Sequence, residues 1–202
     1  GRVQAWAVGP GLGTDEAGAQ AFAEVLDAGL PVLADADAVT LLGEHRELRD
    51  KAAGNPVLIT PHAGEFTRVA ELGDDRVDSA RRAAADLRVT VLLKGNATVV
   101  AAPDGRVLVH PAGSAWLATA GSGDVLTGVA GALLAAGLDP WWAAGCAAFV
   151  HARAAEIAAG VDAGGPGSPV PASSVQAAVP EAIRSVRATV RSTDHQRRRG
   201  RR

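Results

Sequence analysis

The feature of this sequence that most constrains its fold is the alternation of short apolar segments with helix-like segments. Four apolar segments, bounded by Gly, Pro or Asp, have the length of buried strands: 3–8, 31–39, 55–66 and 89–95. Helices are predicted between them, including 14–29, with Thr14 as N-cap, and 75–88. Buried strands that alternate with helices predict a mostly parallel sheet covered by helices on both faces.

The remainder of the chain is predicted to add a hairpin and three helices. Residues 97–111 read as two strands joined by a turn at Pro103, Asp104 and Gly105. The predicted helices are 123–136, 140–160 and about 174–190. The predicted fold class is therefore α/β, with a late antiparallel edge on the sheet.

The composition limits the class of protein. Of 202 residues, 48% are hydrophobic and 21% are charged, which suits one sizeable core. No apolar run reaches the roughly 20 residues of a membrane-spanning helix, and the first residues lack the pattern of a signal peptide. Cys146 is the single cysteine, which excludes an internal disulfide and a cysteine-based zinc site. We therefore expect a soluble protein of the reducing cytoplasm, without a membrane partner.

The charge is distributed unevenly. Residues 1–183 carry 12 basic and 21 acidic side chains (−9), whereas residues 184–202 carry eight Arg and one Asp (+7). Basic ends of this kind contact nucleic acid or membranes in some proteins and are disordered in others. The acidic body argues against nucleic acid as the main partner. We expect one domain over residues 1–190 and a disordered basic tail over 191–202.

Chemically informative residues follow the predicted strands at their carboxyl ends. Parallel α/β sheets bind ligands beyond that edge. The segments at these ends are 9–13 ("GPGLG"), 35–37, 62–65 and 94–98, followed later by 121–124. We therefore expect one ligand site at this edge.

The first segments each leave a structural alternative open. "GPGLG" lacks the GxGxxG spacing, so it is either a turn that a ligand approaches or a simple strand-to-helix turn. Asp35 and Asp37 suit Mg²⁺, directly or through water, although Asp37 is as well explained as a helix cap. His62 and Glu65 suit a polar ligand and the water shell of a metal; the alternative is a purely structural pair. Lys94 suits a phosphate or nucleotide contact, or a surface turn.

The segment "LATAGSGDVLTG" (117–128) carries the most specific signal. Gly121 and Gly123 present backbone N–H groups at the N-terminus of a helix, which favours phosphate oxygens. Asp124 follows at once, and a carboxylate beside bound phosphate is costly unless it accepts a proton. We therefore interpret Asp124 as the base of a phosphoryl-transfer reaction rather than as a helix cap.

In order, "GPGLG", "DADA", "TPHAGE", "KG" and "LATAGSGDVLTG" resemble the ADP/ATP-dependent NAD(P)H-hydrate dehydratase family over roughly residues 3–185. The resemblance implies a ribokinase-like fold and a carbon–oxygen lyase. The implied reaction returns (6S)-NADHX or (6S)-NADPHX, the hydrated forms of the reduced nicotinamide cofactors, to NAD(P)H. It implies ADP and Mg²⁺ as cofactors, with AMP and phosphate as products. The Ala/Arg-rich, bacterial character of the chain favours ADP, with ATP as the alternative.

The resemblance also implies roles for the matched residues. Asp124 deprotonates the hydroxyl of the adduct, which is phosphorylated and then eliminated, while Gly121 and Gly123 form the anion hole. The implied nucleotide-binding residues are Lys94, Gly95, Asn96, Ala97, Thr98 and Gly123. The implied hydrate-binding residues are Gly11, Gly13, His62 and Asp124, and Glu65 matches an acid near magnesium.

The chain departs from the family pattern in two ways. Family domains start upstream of "GPGLG" with further βα units, whereas this chain has no Met and opens almost directly on a strand. We therefore expect that these units are missing here. Ser114 stands where an Asn is expected, which puts a local ligand contact in doubt. We also expect a homo-oligomer and an NAD(P)H-hydrate epimerase as a fused or separate companion.

Two other functions compete with the dehydratase. One is a small-molecule kinase of the ribokinase superfamily that phosphorylates a sugar or vitamin precursor. The other is a nucleotide-binding fragment without activity. "TPHAGE" and "LATAGSGDVLTG" favour the dehydratase.

Overall fold

The computed structural model describes residues 2–111, 115–161 and 164–199. Its contacts divide the chain into two compact units. The first unit consists of Gly1–Ala112 and Leu126–Ala148, and the second of Gly113–Val125 and Phe149–Arg202.

A six-stranded sheet lies at the centre of the first unit, with its strands in chain order. They are β1 (Trp6–Val8), β2 (Val32–Ala34), β3 (Val57–Ile59), β4 (Thr90–Leu93), β5 (Thr98–Ala101) and β6 (Val107–His110). Strands β1 to β4 pair in parallel, while β5 is antiparallel to both β4 and β6. The predicted mostly parallel sheet with a late hairpin is confirmed, and the turn at Gly105 has the positive φ of 88° that favours glycine.

Eight helices accompany the sheet in the described residues. They are α1 (Glu16–Asp27), α2 (Asp37–Glu44), α3 (Arg46–Ala52), α4 (Ala63–Val69), α5 (Arg76–Leu87), α6 (Ser122–Ala135), α7 (Pro140–Ala159) and α8 (Ala172–Arg199). A short 3-10 helix, Ala115–Leu117, precedes α6. None of the helices in this part of the chain is long and apolar enough to span a membrane.

Strands β2 to β5 are buried on both faces of the sheet, and their successive side chains point to opposite sides. On one face, Val32 and Ile59 join a core cluster with Phe22 of α1 and Phe66 of α4. On the other face, Leu33, Leu58 and Leu92 join a second cluster with residues of α6 and α7. These strands therefore read as continuous apolar runs, and the predicted cover on both faces is confirmed.

The second unit has a small helical core of its own. Ala154 and Ala155 of α7 pack with Val175, Ala178 and Ala182 of α8. Leu117 and Val125 lie against this cluster. Small side chains at these positions allow the helices to approach closely.

Several predicted element boundaries are wrong. Helix α1 begins at Glu16 with Asp15, not Thr14, as N-cap, because the Asp15 carboxylate accepts the Gly18 N–H at 3.0 Å. Strand β2 ends at Ala34, five residues before the predicted end at 39, because Asp37 already opens α2. Strand β3 ends at Ile59 because His62 caps a helix, α4, that the sequence analysis missed.

The last helix is longer than predicted. It extends to Arg199, beyond the predicted end near 190. No Gly or Pro interrupts residues 181–199, and the Arg, Ala and Gln residues there are good helix formers. The boundary proposed at residue 190 is therefore not a boundary of secondary structure, and the division into domain and tail stays a prediction.

Candidate functional site

The glycine turn after β1 is held in place by two contacts with the segment after β2. Gly9 has a φ of 133°, and a Cβ there would lie 1.7 Å from the carbonyl oxygen of Asp35. Gly13, at a φ of 84°, donates its backbone N–H to Asp37 Oδ2 at 2.9 Å. Gly11 has a φ of 71° and open space at its Cβ position. Gly9 is thus required by the turn itself, the N–H of Gly13 is engaged by Asp37, and Gly11 has open space on the side where a ligand could approach.

Asp37 and Asp35 have different partners, and neither is a free carboxylate. Asp37 is the first residue of α2, whose N-cap is Ala36, so the cap expected at Asp37 is wrong. Its carboxylate instead binds the glycine turn through Gly13. Asp35 is 2% exposed; its Oδ1 accepts from Lys94 Nζ at 2.8 Å and its Oδ2 from Thr127 Oγ1 at 2.8 Å. Both Asp35 oxygens are occupied by protein donors.

His62 and Glu65 form a capping box at the start of α4. The Nδ1 atom of His62 accepts the N–H groups of Gly64 (2.9 Å) and Glu65 (3.2 Å). Glu65 Oε2 in turn accepts the His62 N–H at 2.8 Å. An Nδ1 that accepts carries no proton, so the proton of neutral His62 is on Nε2. The structural alternative therefore explains the three-residue spacing, while the imidazole, 61% exposed, stays accessible.

Lys94 joins these segments at the carboxyl edge, by which we mean the ends of β1 to β4. Its backbone N–H donates to Pro61, and a parallel bridge pairs it with His62. Its ammonium lies 3.7 Å from Glu65 Oε2 in addition to the contact with Asp35. The prediction that residues 9–13, 35–37, 62–65 and 94 meet at one edge is confirmed within the first unit.

Arg76 supports the turn that follows Lys94, and sequence reasoning missed it. Its Nη2 donates to the Lys94 carbonyl at 3.0 Å. A Cβ at Gly95 would lie 2.5 Å from the same nitrogen, so glycine leaves room for the guanidinium. A cavity of about 520 Å³ borders this turn, and Arg76 and Ala97 line it.

The segment 121–124 lies in the second unit, at the start of α6. Gly121 has a φ of 83°, and Ser122, the first helical residue, donates its Oγ to the Leu117 carbonyl at 2.8 Å. Asp124 is the third residue of the helix and is exposed, so it is not the cap. The N–H groups of a first helical turn have no partner within the helix. This turn therefore offers donors beside an accessible carboxylate, which also interacts favourably with the helix dipole.

The donor set does not form a metal centre by itself. Within residues 2–111, 115–161 and 164–199, no three His, Cys, Asp or Glu side chains are grouped to hold an ion. Asp35 and Asp37 are engaged with protein donors, so a direct Mg²⁺ site on this pair does not fit. Mg²⁺ in nucleotide sites is held mainly by phosphates and waters with one or two carboxylates. Glu65, whose side chain is 12% exposed and whose Oε2 accepts the His62 N–H, is compatible with a hydrogen bond to a water of such an ion.

Comparison with known proteins shows the family to which the chain belongs. The family model described as NAD(P)H-hydrate dehydratase matches residues 1–164. This chain belongs to the NAD(P)H-hydrate dehydratase family. Ser114, where the family resemblance predicts Asn, lies outside the described residues.

Two relatives illustrate the membership. The bifunctional NAD(P)H-hydrate repair enzyme Nnr of Mycobacterium leprae is 50% identical over 161 residues, covering 79% of this chain and 34% of that protein. The ADP-dependent (S)-NAD(P)H-hydrate dehydratase of Neisseria meningitidis is 42% identical over 173 residues, covering 80% of this chain and 58% of that protein. The chain spans less than two thirds of the length of these dehydratase-family relatives.

A solved structure agrees with the relatives. The ADP/ATP-dependent NAD(P)H-hydrate dehydratase of Bacillus subtilis, co-crystallised with ATP and Mg²⁺, matches with a TM-score of 0.75 and 34% identity. The match covers 90% of this chain and 64% of that one. The ribokinase-like α/β fold implied by the sequence resemblance is confirmed.

Proposed function

We propose that this chain catalyses the ADP-dependent dehydration of (6S)-NADHX and (6S)-NADPHX to NADH and NADPH, with release of AMP and phosphate. The observation that carries the proposal is the start of α6 in a chain of this family: Gly121 at positive φ, the N–H groups at the helix N-terminus, of which that of Ser122 donates to the Thr119 carbonyl, and an exposed Asp124. The name of the Neisseria meningitidis relative, an ADP-dependent (S)-NAD(P)H-hydrate dehydratase, supports the same reaction.

The proposed chemistry transfers one phosphoryl group and then eliminates it. Asp124 removes the proton of the adduct hydroxyl, whose oxygen attacks the terminal phosphorus of ADP, and the bond to AMP breaks. The N–H groups of Gly121 and Gly123 stabilise charge on the transferred group. Elimination then breaks the carbon–oxygen bond, so phosphate leaves with the former hydroxyl oxygen and a proton is lost from the adduct. The product is NAD(P)H.

The nucleotide is assigned to the turn that follows β4. Lys94, Gly95, Asn96, Ala97 and Thr98 hold ADP in the proposal, with Gly123 near its phosphates. Support comes from the accessible turn, the Lys94 ammonium and the cavity beside Ala97. Mg²⁺ would neutralise phosphate charge in this site, and Glu65 would be the residue that helps to hold it through water. The ATP and Mg²⁺ of the Bacillus subtilis crystals make ATP the alternative nucleotide.

The hydrate is assigned to the glycine turn and His62. Gly11 has no neighbour within 4 Å of its Cβ position, so its backbone is open to a ligand. The capping role of His62 fixes its Nδ1 as an acceptor, and its exposed Nε2–H, 3.5 Å from Glu65 Oε1, is the proposed donor for an oxygen of the adduct. Gly13 and Asp124 complete the proposed contacts.

The wider setting of the reaction rests on the same proposal. An NAD(P)H-hydrate epimerase, fused or separate, supplies the S form of the adduct. The bifunctional name of the Mycobacterium leprae relative agrees with such a pairing. A homo-oligomer in the cytoplasm remains our expectation.

The test is a substrate comparison with this chain. The protein is incubated with ADP, Mg²⁺ and either (6S)-NADPHX or a set of sugar and vitamin-precursor alcohols. The proposal predicts recovery of NADPH absorbance together with one AMP and one phosphate per NADPH. Phosphorylated alcohol without NADPH recovery supports the kinase instead, and ADP binding without either product supports the inactive nucleotide-binding fragment.

A further inference from the structure

Asp35 is a buried carboxylate for which the proposed reaction has no use. It lies directly after β2, is 2% exposed, and is bound on both oxygens. A buried carboxylate is costly unless a cation and hydrogen-bond donors compensate it. Here the compensation comes from distant parts of the chain: Lys94, 59 residues away, and Thr127, 92 residues away.

The two contacts have different characters. Thr127 is 6% exposed and donates to Oδ2 at 2.8 Å, so it fixes the orientation of the carboxylate from α6. Lys94 donates to Oδ1 at 2.8 Å, but its side chain is 21% exposed and its ammonium also lies near Glu65. Asp35 is thus fixed at Oδ2 by a buried hydroxyl and binds, at Oδ1, an ammonium on a partly exposed side chain.

We propose that Asp35, oriented by Thr127, is a positioning residue that holds the Lys94 ammonium at the carboxyl edge for the phosphates of the bound nucleotide. This inference rests on the proposed function for the identity of the ligand. A free lysine side chain must lose rotamer freedom when it binds phosphate. The ion pair with Asp35 removes that freedom before the nucleotide arrives, so less affinity is lost in ordering Lys94.

If only the charge of Asp35 mattered, its removal would change ADP affinity in the direction opposite to that expected from the proposal. Asp35 is an anion near the proposed phosphate site, so removing its charge should strengthen ADP binding if only its field matters. If Asp35 acts by holding Lys94, its removal weakens binding. The sign of the change separates the two explanations.

The first experiment compares ADP with adenosine, which lacks phosphate, by calorimetry on the full chain. Asp35→Asn is expected to weaken ADP binding about tenfold, as for loss of a charge-assisted contact, and to change adenosine binding less than about twofold. Thr127→Val is expected to weaken ADP binding about threefold. Thr127→Ser, which keeps the hydroxyl, is expected to bind ADP with the affinity of the parent protein. If Asp35→Asn fails to fold, the two Thr127 variants decide the question.

Thr60 supplies a matched control for Thr127. It is fully buried at the end of β3, and in the described residues its Oγ1 has no hydrogen-bond partner. Thr60→Val makes the same chemical change without removing a hydrogen bond to the Asp35 carboxylate. Its ADP affinity is expected to stay unchanged, and equal effects of Thr60→Val and Thr127→Val overturn the proposal.

A second readout uses no nucleotide. The sequence has two lysines, Lys94 and Lys51, and Lys51 pairs with the exposed Asp27. The protein is treated with an amine-acylating reagent, and mass spectrometry measures the acylation rates of the Lys94 and Lys51 side chains in the same sample. Asp35→Asn should raise the rate at Lys94 relative to Lys51, whereas Asp27→Asn should raise it only at Lys51. An unchanged Lys94 rate in Asp35→Asn contradicts the proposed anchoring.

The outcomes keep this inference separate from the proposed function. If ADP binding responds to Asp35 as expected but NADPHX is not converted, the reaction is wrong and the positioning role stands. If NADPHX is converted and ADP and adenosine affinities fall by the same factor in Asp35→Asn and Thr127→Val, the reaction stands. In that case the Asp35 contacts are merely structural and the positioning role is overturned.

Discussion

Gly9 is the residue of the glycine turn that the fold restricts most. Its φ of 133° is unfavourable for any other residue, and a Cβ there would overlap the Asp35 carbonyl oxygen at 1.7 Å. The overlap with this carbonyl oxygen cannot be relieved without moving the backbone after β2. This glycine therefore serves the structure whether or not a ligand approaches it.

Two alanine substitutions separate strain from overlap. Gly9→Ala should lower the free energy of unfolding by more than about 3 kcal/mol, because strain and overlap add. Gly11→Ala, with a φ of 71° and no neighbour within 4 Å, should cost about 1–2 kcal/mol from strain alone. Urea unfolding of both variants measures the difference, and equal losses would contradict this account.

Asp104 in the β5–β6 turn is a residue for which the structure predicts a pH dependence. The Arg106 backbone N–H is the largest cause of a pKa below the ordinary value of 3.8, and the Arg106 side chain lowers this pKa further. A lowered pKa in the folded state means that the ionised carboxylate stabilises the hairpin. That contribution is complete above 3.8 and is lost as the pH falls through the folded pKa.

Carboxyl ¹³C NMR titration tests this assignment. The midpoint for Asp104 should lie below 3.8 in the parent protein. Arg106→Ala should raise the midpoint only part of the way, because the backbone donor remains. A complete return to the ordinary value would show that the side chain, not the backbone N–H, dominates.

At the scale of elements, α4 shows how one residue serves both structure and the proposed ligand. His62 caps this seven-residue helix through Nδ1, while its imidazole stays exposed. Loss of an N-cap side chain costs about 1 kcal/mol. The two roles can be separated because Asn caps a helix as well but does not reproduce the Nε2–H donor.

Two substitutions at His62 distinguish these roles. His62→Ala should lower the free energy of unfolding by about 1 kcal/mol and also weaken hydrate binding. His62→Asn should keep most of the stability and still raise the KM for NADPHX severalfold. Thermal unfolding and steady-state kinetics provide the two readouts. If His62→Asn keeps its KM, the residue is a cap only.

The elements predicted correctly from sequence are those with continuous apolar runs. Val57–Ile59 and Thr90–Leu93 are buried on both faces, so hydrophobicity alone located these strands, although the predicted segment 55–66 extended beyond Ile59 into α4. The missed helix α4 begins with an unusual His cap followed by Ala and Gly, so its start did not resemble the usual Ser or Thr signal. The pairing of β5 with β4 depends on contacts across the sheet, which no local pattern reports.

At the scale of the whole chain, the sequence predicted which residues lie at one edge of the sheet but not which hydrogen bonds and ion pairs they form. Chain order and the parallel sheet were enough to bring the residues after β2, β3 and β4 to one edge. The ion pair of Asp35 with Lys94 and the contact from Thr127 join positions far apart in sequence. The sequence made Asp35 a candidate for Mg²⁺, directly or through water, because its protein partners lie far outside the local pattern.

The central claim is that Asp124 acts as the base of an ADP-dependent dehydration, and one comparison tests it most directly. NADPH recovery from (6S)-NADPHX and ADP is measured for the parent chain, for Asp124→Asn and for Asp86→Asn, an exposed aspartate on α5. The account predicts that Asp124→Asn loses about 10²–10⁴-fold in turnover while its ADP affinity changes less than about twofold. Asp86→Asn should match the parent. Turnover in Asp124→Asn within tenfold of the parent would contradict the claim.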